Sequence, residues 1–346
     1  MEEINTLKVE NQSLREIIEV AKQITSDLDI RRITKSINYF VRSKFDAQFC
    51  SFVVPSDIDN DKPLEYLYSA GTLNKSILDF DAIDPLIEYF TVLECNQITF
   101  KQFSTDFSDQ SIINIIGEKG TEFIIPLKSD KGITGIYLQG AKKNGEVYTS
   151  DEIQFIVTLL GFVSIALENA NLYRRATIDR MTKLYNHHQF QKTLEENIAG
   201  YSNSDGIFSL LMFDIDHFKS FNDSFGHLQG DIIIKELARL LLGSVREVDY
   251  PARYGGEEFA VILPDTSIQG AYEFAERFRK KIESFDFPGD GIAHKVTISL
   301  GVAEFHKKLI KCNEDLISIT DKALYHSKET GRNKVSRALY KKKGES

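Results

Sequence analysis

Residues 253–259 read Arg-Tyr-Gly-Gly-Glu-Glu-Phe, so that two adjacent carboxylates directly follow two glycines. It lies between two apolar, strand-like runs, 210–213 and 259–264, and the first of these leads into Asp-Ile-Asp at 214–216. Glycine allows a tight turn and lets a phosphorylated ligand approach without a Cβ in the way. The pattern predicts a metal-phosphate site on a turn between strands.

The length and charge of the chain limit its class. With 346 residues, the chain is long enough for two domains with separate cores. Its net charge of −9 argues against a general nucleic-acid binder. Residues 1–173 contain 26 acidic and 16 basic side chains, whereas residues 174–346 contain 25 and 26. The second half is therefore the expected host of a polyanionic substrate.

The cysteines and the apolar segments bear on the compartment. The three cysteines have no metal-like spacing, which favours a reduced cytosolic compartment and implies no zinc site. The N-terminus lacks the basic start and apolar block of a signal peptide. The uncharged run 153–167 is shorter than the ~18 residues of a spanning helix. We expect a cytoplasmic protein without a membrane segment.

The first 19 residues show helical periodicity. Apolar residues with one polar interruption recur at 3-4-3-4-3 spacing at Ile4, Leu7, Asn11, Leu14, Ile18 and Ala21. Such a stripe predicts a helix over 1–19 that either forms a short coiled coil with a second copy or packs on its own domain.

Residues 48–140 alternate short β-rich runs with helical-looking segments, which predicts one α+β domain of sensor size. Residues 122–173, which begin inside this region and extend past it, resemble the C-terminal half of a GAF domain. They contain a strand ending in Ile-Pro-Leu, a Gly-Ile-Tyr-Leu strand, and Tyr-Thr-Ser-Asp-Glu at the start of a long helix. The resemblance covers about 20–173 and implies a GAF-like sensor domain at 20–150. Thr149 or Ser150 is the predicted N-cap of the helix.

A signalling helix is expected at 151–176, and it has its own apolar stripe. The stripe again has 3-4-3-4-3 spacing, at Ile153, Ile156, Leu160, Val163, Leu167 and Ala170. It predicts either the seam of a coiled-coil dimer stalk or a face that covers the sheet of the sensor domain.

The second half carries five motifs in a fixed order. They are Phe-Asp-Ile-Asp-His-Phe-Lys at 213–219, Asn-Asp-Ser-Phe-Gly-His at 222–227 with Gly-Asp at 230–231, Gly-Gly-Glu-Glu-Phe at 255–259, the strand 296–303, and 321–333. Together they resemble a GGDEF domain over 177–340, followed by a tail at 341–346. The resemblance implies a two-domain α+β protein whose C-terminal domain has a nucleotidyl cyclase or palm-type fold, a mostly antiparallel sheet flanked by helices.

The chemistry implied by the resemblance is that of a diguanylate cyclase, which condenses two GTP into cyclic di-GMP. Mg²⁺ suits such a site, with Mn²⁺ as the alternative. The family motif assigns Asp214, the Ile215 carbonyl and Glu257 to the metal, and Glu257 and Glu258 to catalysis. Asp216 is better interpreted as a structural carboxylate.

The same resemblance assigns the substrate contacts. Asn222 and Asp231 match the guanine-reading pair, and a carboxylate that accepts both guanine donors rejects adenine. Lys219, Lys328 and Arg332 match phosphate-contacting positions. His227 matches a position near the substrate in some members, but an ordinary turn histidine is equally compatible.

Two further properties follow from the family pattern. Arg246 and Asp249 match an inhibitory site for the product cyclic di-GMP, with Arg277 as its secondary arginine. Because one domain holds one GTP, the enzyme is expected to act as a homodimer. The alternatives are a catalytically inactive cyclic di-GMP receptor and a GTP-binding regulator of a partner.

The start of the second domain departs from the family pattern. Met181 stands where the family has leucine, Lys183 replaces glycine, and His187 and His188 replace two arginines. The replacement of glycine places the local turn in question, and the histidines remove fixed charge.

The sensor domain has little to identify its ligand. All seven histidines lie at or beyond position 187, which argues against histidine-ligated haem or a histidine-assisted metal sensor. A small ligand such as cAMP or cGMP is one expectation, and a ligand-free dimerising domain is the other. Cys50 and Cys95 leave a thiol role open.

Overall fold

The structure is a computed structural model that describes residues 2–55, 63–69, 72–78, 83–204, 206–289, 294–338 and 340. The chain divides into two compact units, 1–174 and 175–346. Each has its own buried apolar clusters, so the prediction of two separate cores is confirmed.

The first unit is an α+β domain. Its helices are α1 (Glu2–Thr25), α2 (Ile30–Phe45), α3 (Asp84–Leu93), α4 (Phe100–Asp106), α5 (Gln110–Gly117) and α6 (Ser150–Thr177). Its strands are β1 (Phe49–Val54), β2 (Leu64–Ser69), β3 (Thr72–Ile77), β4 (Ile98–Thr99), β5 (Thr121–Ser129) and β6 (Gly132–Gly140). The strands form one sheet in the order β3-β2-β1-β6-β5-β4, and every neighbouring pair is antiparallel.

The two faces of this sheet bury different helices. Alternate residues of β1 point to opposite faces, so Phe52 joins the cluster of α1, α2 and α6, while Val53 joins the cluster of α3, α4 and α5. The sheet is therefore the middle layer of three.

Helix α1 is longer than predicted and packs through a different stripe. Ile17, Ala21 and Ile24 are buried, whereas Leu14 is 55% and Ile18 48% exposed. The helix thus packs on its own unit, and part of the predicted seam faces outward. The predicted positions Ile4 and Leu7 lie outside the described side chains.

Helix α6 begins with a reciprocal capping box, which confirms the predicted N-cap. The Glu152 amide donates to Thr149 Oγ1 at 3.2 Å, and the Thr149 amide donates to Glu152 Oε2 at 2.8 Å. The Glu152 carboxylate also pairs with Lys142 Nζ at 2.8 Å.

The apolar stripe of α6 covers the unit's own sheet. Five of its six positions are at most 1% exposed in the cluster shared with α2 and β1, and Ile153 packs against them partly buried. The dimer-seam interpretation of this stripe is therefore wrong. Phe162, Ile165 and Leu172 lie on the other, exposed side.

By length and composition alone, α6 is also apolar enough to cross a membrane, with a mean hydropathy of 1.7 over its most apolar 18 residues. Half of that window is buried inside the unit, as in the core helix of a globular domain.

The second unit is a sheet between helices. The helices are α7 (His187–Ser202), α8 (Phe218–Phe225), α9 (His227–Leu242), α10 (Ile268–Ser284) and α11 (Asn313–Glu329). The strands are β7 (Phe208–Ile215), β8 (Tyr250–Arg253), β9 (Glu258–Pro264), β10 (Ile298–Glu304) and β11 (Val335–Arg337).

The sheet order is β11-β10-β7-β9-β8; only the β10–β11 pair is parallel. The prediction of a mostly antiparallel sheet flanked by helices is confirmed. Helix α11 packs closely on β10 at Gly301. A Cβ at this position would lie 2.3 Å from the Leu324 nitrogen, so only glycine allows the close approach.

The questioned turn at the start of this unit is formed without its glycine. Lys183 adopts φ +61°, the left-handed conformation that glycine adopts readily. Its amide donates to the Asp179 carbonyl at 2.9 Å, and Thr182 donates from both its amide and its hydroxyl to the Asp179 carboxylate. These bonds hold the turn closed around a lysine.

Candidate functional site

The end of β7 places Asp214 at the centre of the site. Asp214 lies opposite Glu258 on β9 and opposite Ser299 on β10. Its side chain is nearly buried and forms an ion pair with Lys328 Nζ at 2.8 Å. The predicted metal residue and the predicted phosphate residue are therefore in direct contact.

Burial and charge both act on Asp214. The pKa of Asp214 is raised to about 6 overall: burial is the largest cause, the Lys328 ammonium opposes it, and the neighbouring carboxylates Glu257 and Glu258 add to the rise. A buried carboxylate close to two others is a site where a cation is stabilised.

The glycine-glutamate turn is a tight hairpin between β8 and β9. The amides of Tyr254 and Gly255 both donate to the Glu258 carbonyl, at 2.8 and 3.1 Å. Arg253 donates to the Gly256 carbonyl through Nε at 3.1 Å and Nη2 at 2.8 Å. The turn that carries Glu257 is thus fixed by its own backbone and by the arginine before it.

Arg253 also reaches the start of the unit, where its Nη1 lies 3.3 Å from Asp179 Oδ1. Burial acts to raise the pKa of Asp179, but the bonds from Thr182 and Arg253 lower it overall. The sequence analysis assigned no role to Asp179 or to Arg253, although Arg253 begins the stretch 253–259 that it quoted.

The oxygen donors at this site fit a hard cation. Mg²⁺ takes one or two carboxylates and keeps several waters, and Asp214 and Glu257, with the Ile215 carbonyl, provide that set. Among the described residues, no group of three or more His, Cys, Asp or Glu side chains is arranged to hold a metal. A soft or closed structural metal site is therefore not formed by these residues.

Asp216 is structural, as the sequence analysis favoured. It is 8% exposed and accepts hydrogen bonds from Ser299 Oγ at 2.6 Å and Thr297 Oγ1 at 2.7 Å. The Asn333 amide donates to it at 3.0 Å. All of these bonds come from within the protein.

The predicted guanine pair lies on two consecutive helices. Asn222 is on α8 and Asp231 is on α9, with Gly226 joining the two helices. Asn222 Oδ1 is buried without a hydrogen-bond partner. A Cβ on Gly230 would lie 1.9 Å from this oxygen, so the amide rests on a backbone that only glycine leaves free. A buried acceptor without a partner suits a ligand that carries a donor.

The remaining predicted contacts are more open. Lys219 and His227 are exposed, and His227 is the first residue of α9. Arg332 is exposed and follows the last turn of α11 that carries Lys328. The structure thus brings Lys328 into contact with Asp214 and leaves Lys219, His227 and Arg332 at the surface.

Arg246 and Asp249, which the sequence analysis assigned to a product site, form an ion pair. Arg246 Nη2 lies 2.7 Å from Asp249 Oδ1, and the Arg246 side chain is 55% exposed whereas that of Asp249 is 2% exposed. Arg246 Nη2 also donates to Thr266 Oγ1 at 2.8 Å. Arg277 is on α10, exposed, with its guanidinium 5.5 Å from the Phe274 ring.

Comparison with known proteins identifies the second unit. The family described as "Diguanylate cyclase, GGDEF domain" matches residues 176–334. Diguanylate cyclase A of Treponema denticola is 31% identical over 337 residues, which are 93% of this chain and 88% of that protein.

Two other matches cover about half of this chain. The response regulator PleD of Caulobacter vibrioides is 38% identical over 165 residues, 46% of this chain and 36% of that protein. The crystal structure of the coiled coil and GGDEF domain of DgcB from Caulobacter crescentus, in complex with c-di-GMP, aligns with a TM-score of 0.50 at 29% identity. It covers 55% of this chain and all of that one. The match to the family over the unit that holds Asp214 and Glu257, together with a relative matched over nearly the whole chain, shows that this chain belongs to the GGDEF family of diguanylate cyclases.

Proposed function

We propose that this diguanylate cyclase condenses two GTP into cyclic di-GMP with Mg²⁺, or with Mn²⁺ as the alternative, at a site completed by a second copy of the chain. The observation that carries the proposal is the Lys328–Asp214 contact at 2.8 Å beside the Glu257 turn. It supports the proposal because the lysine that we assign to phosphate lies next to the carboxylates that would hold the metal. The metal would lower the barrier to deprotonation of the 3′-hydroxyl and neutralise the leaving pyrophosphate.

The residues of the chain divide the remaining work. Asp214, Glu257 and the Ile215 carbonyl would hold the metal, and Glu257 or Glu258 would accept the proton of the 3′-hydroxyl. Asn222, whose Oδ1 is an unpaired acceptor, and Asp231 would bind guanine. Phosphate binding is assigned to Lys219, Lys328 and Arg332, with His227 near the substrate.

Homodimer formation is part of the proposal, because a single domain binds one GTP and two phosphodiester bonds must form. Support comes from the outward face of α6, where Phe162, Ile165 and Leu172 follow a 3-7 spacing and are 37%, 49% and 42% exposed. An exposed apolar face at helical spacing is suited to a matching helix.

Regulation is proposed at two places. Product would bind at Arg246, Asp249 and Arg277. The Asp249 carboxylate already orients the exposed guanidinium of Arg246. The first unit would act as a GAF-type sensor of a small cytosolic ligand such as cAMP or cGMP, in keeping with its three-layer α+β fold. A cytoplasmic location follows from the use of GTP.

Thiol chemistry is not part of the sensor proposal. Cys50 is fully buried, and burial raises its pKa to about 12. Its Sγ donates to Gln139 Oε1 at 3.7 Å, within a buried network that includes Tyr137 and Tyr148. A protonated, inaccessible thiol is a packing residue.

The deciding experiment is turnover by the purified full chain. GTP is supplied with Mg²⁺ or Mn²⁺, with and without cAMP or cGMP, and the product is separated by chromatography. Glu257→Ala should lower synthesis by at least about 100-fold without unfolding the protein. Glu195→Ala, at an exposed position of α7 in the same unit, is the matched control.

Three results would contradict the proposal. Synthesis that persists in Glu257→Ala would refute the metal assignment. Absence of cyclic di-GMP under every condition, with the labelled dinucleotide still bound, would favour an inactive receptor. GTP binding without turnover or dinucleotide binding would favour a GTP-binding regulator.

A further inference from the structure

The segment that follows α11 has an unusual backbone. Gly331, Arg332 and Asn333 have φ values of +113°, +61° and +45°. Residues with side chains rarely enter this region, and two in succession persist only where the surroundings hold them. The segment includes Arg332, which is assigned to phosphate, and it begins two residues after Glu329, the last residue of α11.

Asn333 is the residue through which the segment is held. Its amide donates to Asp216 Oδ2 at 3.0 Å. Its side-chain oxygen accepts from Arg279 Nη1 at 2.8 Å, and its side-chain nitrogen donates to Glu283 Oε1 at 2.7 Å. One asparagine therefore joins the end of β7 to two residues of α10.

Asp216 is well suited to anchor this bond. Asp216 Oδ1 accepts a hydrogen bond from Ser299 Oγ, and Oδ2, which accepts from the Asn333 amide, also accepts from Thr297 Oγ1. The Asp216 amide donates to the Thr297 carbonyl at 2.9 Å. A nearly buried carboxylate with three donors has one stable orientation. Asn333 thus bonds to a fixed point of the sheet.

Two bonds connect the end of β7 with the end of α11 and the segment after it. Asp214 and Asp216 are two residues apart on an extended chain; the first binds Lys328 and the second binds Asn333. Phosphate binding by Lys328 would compete with the first bond. The second bond involves no residue assigned to a ligand, so substrate would not compete for it.

We propose that Asp216, acting through Asn333, is a positioning residue for triphosphate recognition: it holds the left-handed segment so that Lys328 and Arg332 meet the phosphates together. This inference rests on the proposed function for the assignment of Lys328 and Arg332 to phosphate. It gives a role to a carboxylate that touches neither guanine nor the reacting atoms.

The test uses the full chain with Asp216→Ala and Asn333→Ala. For each, kcat and the KM for GTP are measured, together with equilibrium binding of a non-hydrolysable α,β-methylene GTP analogue and of GMP. We expect KM to rise about tenfold with kcat changed less than about threefold. Affinity for the triphosphate analogue should fall in proportion, whereas affinity for GMP should not change, because the guanine pair is untouched.

Conservative and matched variants sharpen the result. Asp216→Asn keeps one acceptor for the Asn333 amide and should recover at least half of the lost affinity on a logarithmic scale. Glu276→Gln is the control: Glu276 pairs with the same Arg279, at 3.2 Å, without a recorded bond to Asn333. Its KM and affinities should equal those of the wild type.

The proposal is overturned if the variants bind both nucleotides as the wild type does and only the melting temperature falls. It is also overturned if affinities for GMP and the triphosphate fall equally. If Asp216→Ala does not fold, Asp216→Asn takes its place, and wild-type affinity for the triphosphate analogue there overturns the proposal. Asn333→Ala keeps the backbone amide that binds Asp216 and tests only the side-chain bonds to Arg279 and Glu283. Lys328→Ala distinguishes failure of the proposed function from failure of this inference. Unchanged triphosphate affinity in Lys328→Ala refutes the phosphate assignment. A lower affinity in Lys328→Ala, together with wild-type affinity in Asp216→Ala and Asn333→Ala, refutes the positioning role only.

Discussion

Arg253 joins Asp179, two residues after the end of α6, to the catalytic turn. One guanidinium nitrogen lies 3.3 Å from the Asp179 carboxylate, and two others donate to the Gly256 carbonyl. The arginine side chain is only 16% exposed. The position of Glu257 is therefore linked to the residues that follow α6.

Arg253→Lys should test this link. Lysine has one ammonium group and cannot make the forked contacts of a guanidinium, so the turn should lose a partner while the sheet stays intact. We expect kcat to fall about tenfold with a small change in melting temperature. Arg239→Lys, on the exposed face of α9, is the control. Wild-type kcat in Arg253→Lys would show that the backbone bonds of the turn are sufficient.

Gly230→Ala should separate stability from substrate binding. Alanine favours a helix over glycine by about 1 kcal/mol, so the variant should unfold at the same temperature as the wild type or higher. The new Cβ would displace the Asn222 amide, whose Oδ1 lies 1.9 Å from its position. We expect the KM for GTP to rise about tenfold. Steady-state kinetics and a thermal melt of the same sample check both parts; an unchanged KM would exclude Asn222 from guanine binding.

Glu152→Gln should reveal a pH-dependent contribution to the stability of the first unit. Burial acts to raise the pKa of Glu152, but the Lys142 ammonium and the Thr149 amide lower it overall from 4.5. The ionised form therefore stabilises the fold above pH 4.5, and this stabilisation is lost as the pH falls through the lowered pKa.

We expect Glu152→Gln to lower the free energy of unfolding by about 1 kcal/mol at pH 7. The difference from the wild type should shrink toward zero on acidification below pH 4. Urea unfolding of both proteins at several pH values measures it. A difference that is constant across this range would mean that the charge of Glu152 contributes nothing.

Arg246→Ala should weaken product inhibition with a near-normal initial rate, because Arg246 contacts Asp249 and Thr266 and not the residues around Asp214. Loss of the guanidinium should raise the inhibitory constant of cyclic di-GMP about tenfold or more. Arg239→Ala supplies the matched control, since Arg239 is also an exposed arginine paired with a carboxylate three residues away. Equal inhibition in both variants would remove Arg246 from the product site.

Periodicity predicted the helix α6 correctly but not its partner. A 3-4-3-4 stripe records only that one face is apolar, and a sheet or a twin helix satisfies it equally. Ile156, Leu160 and Val163 bury themselves against their own sheet. The exposed apolar face that contains Ile165 has a shorter pattern, and the longer stripe obscured it.

The family motifs assign roles to the candidate site residues but not to the residues that hold them in place. Asp214, Glu257 and Asn222 could be found because their chemistry is carried by adjacent letters. Arg253 and Asp216 act on residues distant in sequence, 74 positions away for Asp179 and 117 for Asn333. Spacing along the chain contains no record of such pairs, so only the folded arrangement reveals them.

The ion pair between Lys328 and Asp214 makes the resting site self-neutralised. Because the lysine already compensates the buried carboxylate, a cation that arrives alone must displace an internal ammonium rather than water. A triphosphate that arrives alone must draw the lysine away and leave the carboxylate bare. Nucleotide and metal are therefore expected to bind cooperatively, so that each raises the affinity of the site for the other.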